Sequence, residues 1–73
     1  MIEVRLFATF REGRDKIVFL DENQFHVGSE VLDYLDIPYD EVSIFLINGS
    51  HSEINATIKA GDVLAIFPPV GGG

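Results

Sequence analysis

The chain contains no cysteine, and only five of its 73 residues are lysine or arginine. The absence of cysteine excludes a disulfide, a thiolate metal site and a cysteine nucleophile. Five cations against twelve acidic residues argue against nucleic-acid binding, because phosphate contacts need clustered positive charge. No apolar run is long enough to span a bilayer, and no basic segment with a following apolar stretch opens the chain. We therefore predict a cytoplasmic protein with no nucleic-acid or membrane partner.

Motifs of catalysis and metal binding are also missing. The sequence has no Ser/His/Asp spacing, no phosphate-binding loop and no dinucleotide motif. Its two histidines, His26 and His51, are far apart and lack ligand spacing, so we expect turn or capping roles for them. Three aspartates, Asp33, Asp36 and Asp40, flank a short predicted helix and are interpreted as a solvated face. None of these residues predicts a metal or a cofactor bound by the chain.

The acidic charge is unevenly distributed along the chain. The net charge is −7, and the stretch from Ile17 to Ile58 holds eight acidic residues and no lysine or arginine. Such a surface would suit a basic protein partner through electrostatic steering, and it would equally serve solubility.

The first part of the chain predicts a β-hairpin. Apolar residues alternate from Ile2 to Phe10, which indicates a strand with one face on a core. Residues 11–15 are polar around a central glycine and predict the connection to a second, antiparallel strand at 16–20. Phe7 interrupts the polar face of the first strand, so it is either covered by a neighbour or exposed for a partner.

A short helix follows the hairpin. Apolar residues from Val27 to Leu35 fall at helical spacing, and Pro38 stops the pattern after about two turns. The helix cap is expected from one of three residues, His26, Gly28 or Ser29.

The second part of the chain predicts two strands. Ser43–Ile47 is nearly all apolar and fits a strand buried on both faces or nearly so, and Asn48-Gly49 after it is a turn signal. Residues 53–58 are interpreted as a short edge segment with both isoleucines pointing inward. After a turn at 60–62, Val63–Phe67 is the last strand. Four phenylalanines are assigned to the core: Phe10, Phe19, Phe45 and Phe67.

This element order predicts an α+β fold. One main helix packed across one face of a mixed sheet of four to five strands would bury the apolar stripes, with a right-handed crossover between parallel strands. That arrangement is the β-grasp, or ubiquitin-like, fold. We assign residues 1–67 to the β-grasp domain and residues 68–73 to a flexible Pro-Pro/Gly tail.

The tail carries the functional prediction. Pro68 and Pro69 restrict the backbone and set the exit direction, and the three terminal glycines have no Cβ, so they fit a narrow channel. No side chain in the tail is reactive, so the terminal carboxylate is the only group there that could react. The competing interpretation of the tail alone is a frayed terminus.

Three segments carry a resemblance to a known family. They are the opening Val4–Glu12, the central Leu46–Gly49 and the ending Lys59–Val70 with its following glycines. Together they resemble the MoaD/ThiS family of ubiquitin-like sulfur carriers over essentially the whole chain, and the MoaD side more closely. The region 29–42 is shorter than in typical MoaD proteins, and three terminal glycines stand where two are usual.

The resemblance implies a carrier rather than an enzyme. An E1-like adenylating enzyme of the MoeB/ThiF type would use ATP to adenylate the terminal carboxylate, and sulfur would then replace AMP to give a thiocarboxylate. The large subunit of molybdopterin synthase, of the MoaE type, would use that sulfur to build the dithiolene of molybdopterin. No cofactor would be bound by this chain itself.

The residues of the tail fit that chemistry. Gly72 and Gly73 would enter the partner's active site, with the Gly73 carboxylate as the reacting group unless Gly73 is trimmed. Partner-binding roles are expected for Phe7, Phe67, Pro68, Pro69, Val70 and Gly71. Three other functions stay open: a protein modifier that forms isopeptide bonds, a ThiS-like carrier for thiamin thiazole synthesis, and a docking domain with an inert tail.

Overall fold

A five-stranded mixed sheet with one α-helix on one of its faces forms the fold. The computed structural model describes residues 1–69, to which every structural statement below refers. The elements in chain order are β1 (Ile2–Leu6), β2 (Ile17–Leu20), α1 (Gly28–Leu35), β3 (Ile44–Ile47), β4 (Ser50–His51) and β5 (Val63–Phe67). Short 3₁₀ turns span Ala8–Arg11 and Tyr39–Glu41. No helix in residues 1–69 has the length and apolar character that a membrane crossing requires.

The strand order across the sheet is β2-β1-β5-β3-β4. Strands β1 and β5 run parallel, and the other three neighbouring pairs are antiparallel. The last strand of the chain is therefore the central strand of the sheet. This topology confirms the predicted α+β fold, with one main helix on a mixed sheet.

The core lies between one sheet face and α1. The alternating residues Ile2, Val4 and Leu6 of β1 are fully buried, as are Leu64 and Ile66 of β5. The helix adds Val31 and Leu32 to the same buried cluster. Alternation along a strand places the intervening residues on the opposite side of the sheet, which we call the outer face.

The first strand is shorter than predicted. It ends at Leu6 rather than Phe10, because Ala8 takes the left-handed backbone region at φ 53° and the chain turns into a 3₁₀ segment. Phe10 is still buried, at 4% exposure, but it reaches the core from the 3₁₀ turn and is not part of the strand. The connection to β2 consequently runs through residues 7–16 and is longer than the predicted 11–15.

The helix begins with a cap that differs from the prediction. Val27 occupies the cap position, in place of His26, Gly28 or Ser29, and its side chain has no acceptor. Glu30 supplies one instead: its Oε1 accepts hydrogen bonds from the backbone N–H groups of His26 (2.6 Å) and Val27 (3.1 Å). These two bonds hold the pKa of Glu30 below its ordinary value.

Gly28 allows the helix to start against the sheet. A Cβ at this position would lie 2.5 Å from the backbone oxygen of Ile54 and 2.6 Å from the ring of Phe45. Only glycine fits that approach. At the other end, Asp36 adopts the left-handed region at φ 59° and ends the helix after Leu35, ahead of Pro38.

The second part of the chain corrects two predictions. Strand β3 is not buried on both faces: Phe45 is buried, whereas the other three residues are half-buried. The turn at Asn48-Gly49 is confirmed, with φ of 52° and 84°, and it leads directly into the edge strand β4. The edge segment predicted at 53–58 is wrong, since that stretch forms only an isolated bridge from Thr57 to Val27. Its isoleucines do contribute to the core.

Candidate functional site

The tail leaves the sheet at the end of β5, which is hydrogen-bonded to a neighbouring strand on each side. Phe67 ends the central strand, where it lies opposite Ile44 of β3. Its carbonyl oxygen accepts a hydrogen bond of 2.9 Å from the backbone N–H of Ser43. On the other side of β5, Leu6 of β1 pairs with Ile66. The direction of the chain at Phe67 is therefore fixed by two neighbouring strands.

The side chain of Phe67 is also held. It stacks on Phe7 with ring centroids 4.2 Å apart and an angle of 10° between the ring planes. The guanidinium carbon of Arg11 lies 5.1 Å from the centroid of the Phe7 ring, and Arg11 Nε donates to the backbone oxygen of Leu6 at 2.7 Å. Phe7 thus lies between Arg11 and Phe67. The sequence predicts that Phe7 is either covered by a neighbour or exposed for a partner. The structure shows that neighbours cover part of its side chain and that the side chain is still half-exposed.

The two prolines differ in their surroundings. Pro68 is buried and Pro69 is exposed. Because each proline fixes its own φ and restricts the preceding residue, the backbone has few conformations available over these two positions. The remaining sequence-predicted site residues, Val70 and the glycines at 71–73, lie outside the described residues, and their roles stay predictions.

The outer face carries exposed apolar side chains that the sequence interpretation missed. Phe19, assigned to the core, is 59% exposed, and Ile17 is 45% exposed. The strand register places Ile17, Arg5, Ala65 and Leu46 side by side across four strands. Because exposed apolar side chains grouped on one sheet face are typical of interaction sites, the outer face is a candidate interaction surface. The signal available in the sequence was the uninterrupted apolar run of β2, which leaves no polar residue for a solvent face.

At the other end of β5, a buried carboxylate fixes where the strand begins. Asp62 is 3% exposed, and its two oxygens accept hydrogen bonds from Asn48 Nδ2 (3.0 Å) and the Lys59 backbone N–H (2.9 Å). Asn48 Oδ1 in turn accepts from the N–H of Val63 at 2.9 Å. Burial would raise the pKa of Asp62, but these hydrogen bonds and the nearby Lys59 ammonium outweigh burial and hold the pKa below its ordinary value.

The histidines do not assemble a site with the acidic residues. His51 lies on β4 opposite Leu46, and His26 precedes α1, where its backbone oxygen accepts from the N–H of Ile58 at 2.9 Å. Within residues 1–69, no group of three His, Cys, Asp or Glu side chains is positioned to hold a metal ion.

Comparison with solved structures places these features in a known family of folds. SAMP1 from Haloferax volcanii is 31% identical, with a TM-score of 0.75 over 99% of this chain and 98% of that one. A Pyrococcus furiosus protein provisionally described as subunit 1 of molybdopterin converting factor is 26% identical, with a TM-score of 0.65 over 94% and 97%. A complex of subunits 1 and 2 of the Helicobacter pylori molybdopterin-converting factor matches at 24% identity and a TM-score of 0.66, over 99% and 97%, which shows the fold alone.

The family comparison covers nearly the whole chain. A search among curated proteins found no match. The model of the ThiS family, in contrast, matches residues 4–73. Together with the structural neighbours, this match confirms the resemblance that the opening, central and final segments indicated. The chain belongs to the ThiS family and has its ubiquitin-like β-grasp fold.

Proposed function

We propose that this protein is a sulfur carrier for molybdopterin biosynthesis, activated at its C-terminal glycine carboxylate. The observation that carries the proposal is the braced end of the central strand. Phe67 is held through its backbone by Ser43 and through its ring by Phe7, so the residues that follow start from a fixed point and direction. A tail without reactive side chains that leaves a rigid domain is suited to deliver its terminus into a partner enzyme.

The proposed chemistry takes place on the terminal carboxylate. A carboxylate is a poor electrophile, so an oxygen of the Gly73 carboxylate first attacks the α-phosphorus of ATP and pyrophosphate leaves. A sulfide-level sulfur nucleophile then attacks the acyl carbon of the adenylate, and AMP departs with the bonding electron pair. The product is a thiocarboxylate. Both steps belong to an E1-like enzyme of the MoeB/ThiF type, and this chain supplies substrate atoms rather than catalytic groups.

The outer face is proposed as the surface that docks on such partners. Ile17, Phe19 and Leu46 give it apolar area, and Ala65 keeps its centre flat on β5, the strand that leads into the tail. Burial of exposed apolar side chains is worth about 25 cal/mol per Å² before the costs of association. The similar Pyrococcus furiosus protein is provisionally described as subunit 1 of a molybdopterin converting factor, which supports a second, large synthase subunit of the MoaE type as one partner of this chain.

Intact-mass spectrometry tests the first half of the proposal. The chain is incubated with an E1-like enzyme of the MoeB type, ATP and sulfide, and the mass increase from replacing one oxygen by sulfur is measured. The matched control is a chain that lacks Gly72 and Gly73 and keeps every described residue. We expect conversion only with the full tail. If an enzyme that is active on its own carrier leaves the full chain unmodified, sulfur carriage by this protein is refuted.

The second half concerns the destination of the sulfur. The thiocarboxylate form is supplied to a MoaE-type subunit with the sulfur-free pterin precursor, and formation of the dithiolene is followed by fluorescence of its oxidised derivative. A parallel reaction with a thiazole synthase tests the thiamin alternative. Dithiolene formation without thiazole formation is the expected result. The reverse result would assign the chain to thiamin synthesis.

A protein-modifier function is the second candidate, because two of the solved structures similar to this chain are of a small archaeal modifier protein from Haloferax volcanii, at 30–31% identity. In that function an acceptor lysine attacks the activated carboxyl and an isopeptide bond forms. Peptide mapping of affinity-purified conjugates tests it. Lysines that carry a branched glycine remnant from this C-terminus would support modification, and a free thiocarboxylate as the accumulated product would support carriage.

A further inference from the structure

An open groove lies beside α1, on the side of the sheet opposite the outer face. Its volume is about 570 Å³, and it runs between the start of α1, the segment around Tyr39–Ser43, strand β3 and the loop at 52–55. Val42, Phe45 and Ile54 form its apolar part. We call this feature the acidic groove, for the carboxylates described below.

The walls of the acidic groove are fixed by specific contacts. Gly28 lets the start of α1 approach the Phe45 ring and the Ile54 backbone, which sets the distance between two walls. Tyr39 on another wall donates a hydrogen bond of 2.7 Å from its hydroxyl to Asp33 Oδ1. That bond links this wall to α1, which carries Asp33, and it raises the pKa of Tyr39 above its ordinary value. The groove is therefore present before any partner binds.

The carboxylates around the groove have no cationic partner among residues 1–69. Glu53 lines it, Asp40 and Glu41 lie between its lining residues Tyr39 and Val42, and Asp33 holds Tyr39. The ion pairs in this part of the chain involve other acids: Glu22 with the N-terminus, Glu3 with Arg5, and Asp62 with Lys59.

Arg14, the arginine nearest to this surface along the chain, makes its hydrogen bonds at the other end of α1. Arg14 donates from Nε to the Leu35 backbone oxygen (3.0 Å) and from an η nitrogen to the Asp36 backbone oxygen (3.2 Å), at the far end of α1. No lysine or arginine occurs between Ile17 and Ile58, and Lys59, the next cation along the chain, pairs with Asp62. The negative charge of this surface is thus left for a partner to neutralise.

We propose that the acidic groove binds a basic segment of a partner protein, in which one apolar side chain is flanked by lysines or arginines. The apolar side chain would pack on Val42 and Ile54, and the cations would pair with Glu53 and Asp40. Charge complementarity of this kind accelerates encounter and excludes acidic segments. The apolar part of the groove supplies affinity that charge alone would not.

The acidic groove lies close to the start of the tail, but the proposed sulfur chemistry does not involve it. Ser43 lines the groove, and its backbone N–H donates to the carbonyl oxygen of Phe67. A bound segment would therefore lie beside the point where the tail leaves the domain. Its binding needs no activated carboxylate, so a failure to bind would leave the proposed carrier function untouched.

Chemical-shift mapping tests the proposal with a defined probe. The ¹⁵N-labelled full chain is titrated with a capped peptide in which a leucine stands between two pairs of lysines. We expect saturable shifts at the amides of Ser29, Ser43, Ser52 and Asn55, with Leu46 and Ala65 of the outer face unchanged. A peptide with glutamates in place of the lysines should not bind, and alanine in place of the leucine should weaken binding about fivefold.

Charge-neutral variants provide the matched comparison. Glu53→Gln combined with Asp40→Asn should weaken binding about three- to tenfold, as expected for two exposed ion pairs. Glu3→Gln removes one charge from the outer face and should leave the affinity unchanged. The proposal is overturned if the peptide shifts the outer-face amides instead, if shifts spread over all acidic residues without saturation, or if the double variant binds as tightly as the natural chain. Unchanged shifts elsewhere in each variant's spectrum report that the fold is intact.

Discussion

Replacing the buried carboxylate of Asp62 by an amide should destabilise the domain markedly. In Asp62→Asn, the new amide oxygen can still accept from Asn48, but its NH₂ group faces the backbone N–H of Lys59, donor against donor. The variant loses a charge-assisted hydrogen bond and leaves a buried donor without a partner. Hydrogen bonds to charged groups contribute about 1.5–3 kcal/mol, so we expect a loss of about 2–3 kcal/mol in the free energy of unfolding at neutral pH.

The stability that Asp62 contributes should decrease as the pH is lowered. The pKa of Asp62 is lower in the folded chain than in the unfolded chain, so the unfolded chain binds the proton at higher pH. The stabilisation by Asp62 is therefore fully present above the unfolded pKa of about 3.9 and is lost as the pH falls through the folded pKa. The difference in stability between natural chain and variant should stay constant from about pH 5 to 8 and shrink below about pH 4.

Urea unfolding followed by circular dichroism, repeated between pH 3 and pH 8, measures this difference. Comparing two proteins at each pH cancels the contribution of the other eleven acidic residues. Asn48→Ala and the double variant complete a cycle, in which the two single losses should sum to more than the loss of the double variant, because the residues share a hydrogen bond. A stability difference that does not change as the pH falls, or a variant as stable as the natural chain, would refute the assigned role of the carboxylate.

Three further substitutions test other parts of the structure by thermal or urea unfolding. Gly28→Ala should cost about 1–3 kcal/mol, because the added methyl group collides with backbone and ring atoms, whereas Ser29→Ala next to it should cost far less. Phe7→Ala should lower the free energy of unfolding by about 1–2 kcal/mol, because it removes the stacked ring and its cation–π contact. Phe19→Ala, on the exposed outer face, should lower it by less than about 0.5 kcal/mol. This second substitution should instead weaken binding to the activating enzyme. Glu30→Gln should lower the thermal midpoint at neutral pH and leave it unchanged at a pH below the pKa of Glu30, where the natural side chain is also neutral.

The sequence predicted the elements whose boundaries depend on local chemistry. The predicted last strand, Val63–Phe67, has the bounds found in the structure, because a turn precedes it and two prolines follow it. The predicted first strand extends too far, to Phe10, because a buried side chain on a 3₁₀ turn continues the alternation that a strand would show. Periodicity reports which residues are buried, and two backbone paths bury Phe10 equally well.

Pairing between distant segments was not visible in the sequence. The ring stack of Phe7 on Phe67 depends on the parallel register of β1 and β5, which brings together residues sixty positions apart. The exposure of Phe19 depends on β2 being an edge strand with nothing across its outer face among residues 1–69. Composition correctly marked the surface as acidic, but only the fold places Glu53 beside the segment that carries Asp40.

The two candidate surfaces lie on opposite sides of the sheet, and both extend to the strands that hold the end of β5. Leu46 and Ala65 belong to the outer face, whereas Ser43 borders the acidic groove and holds the backbone of Phe67. A partner on either surface would reach the tail from a different side of the sheet. If the activating enzyme uses the outer face, the groove remains available to a second protein while the tail is engaged. Substitutions at Phe19 and at Glu53 should therefore affect different binding partners, and their effects on each partner should be independent.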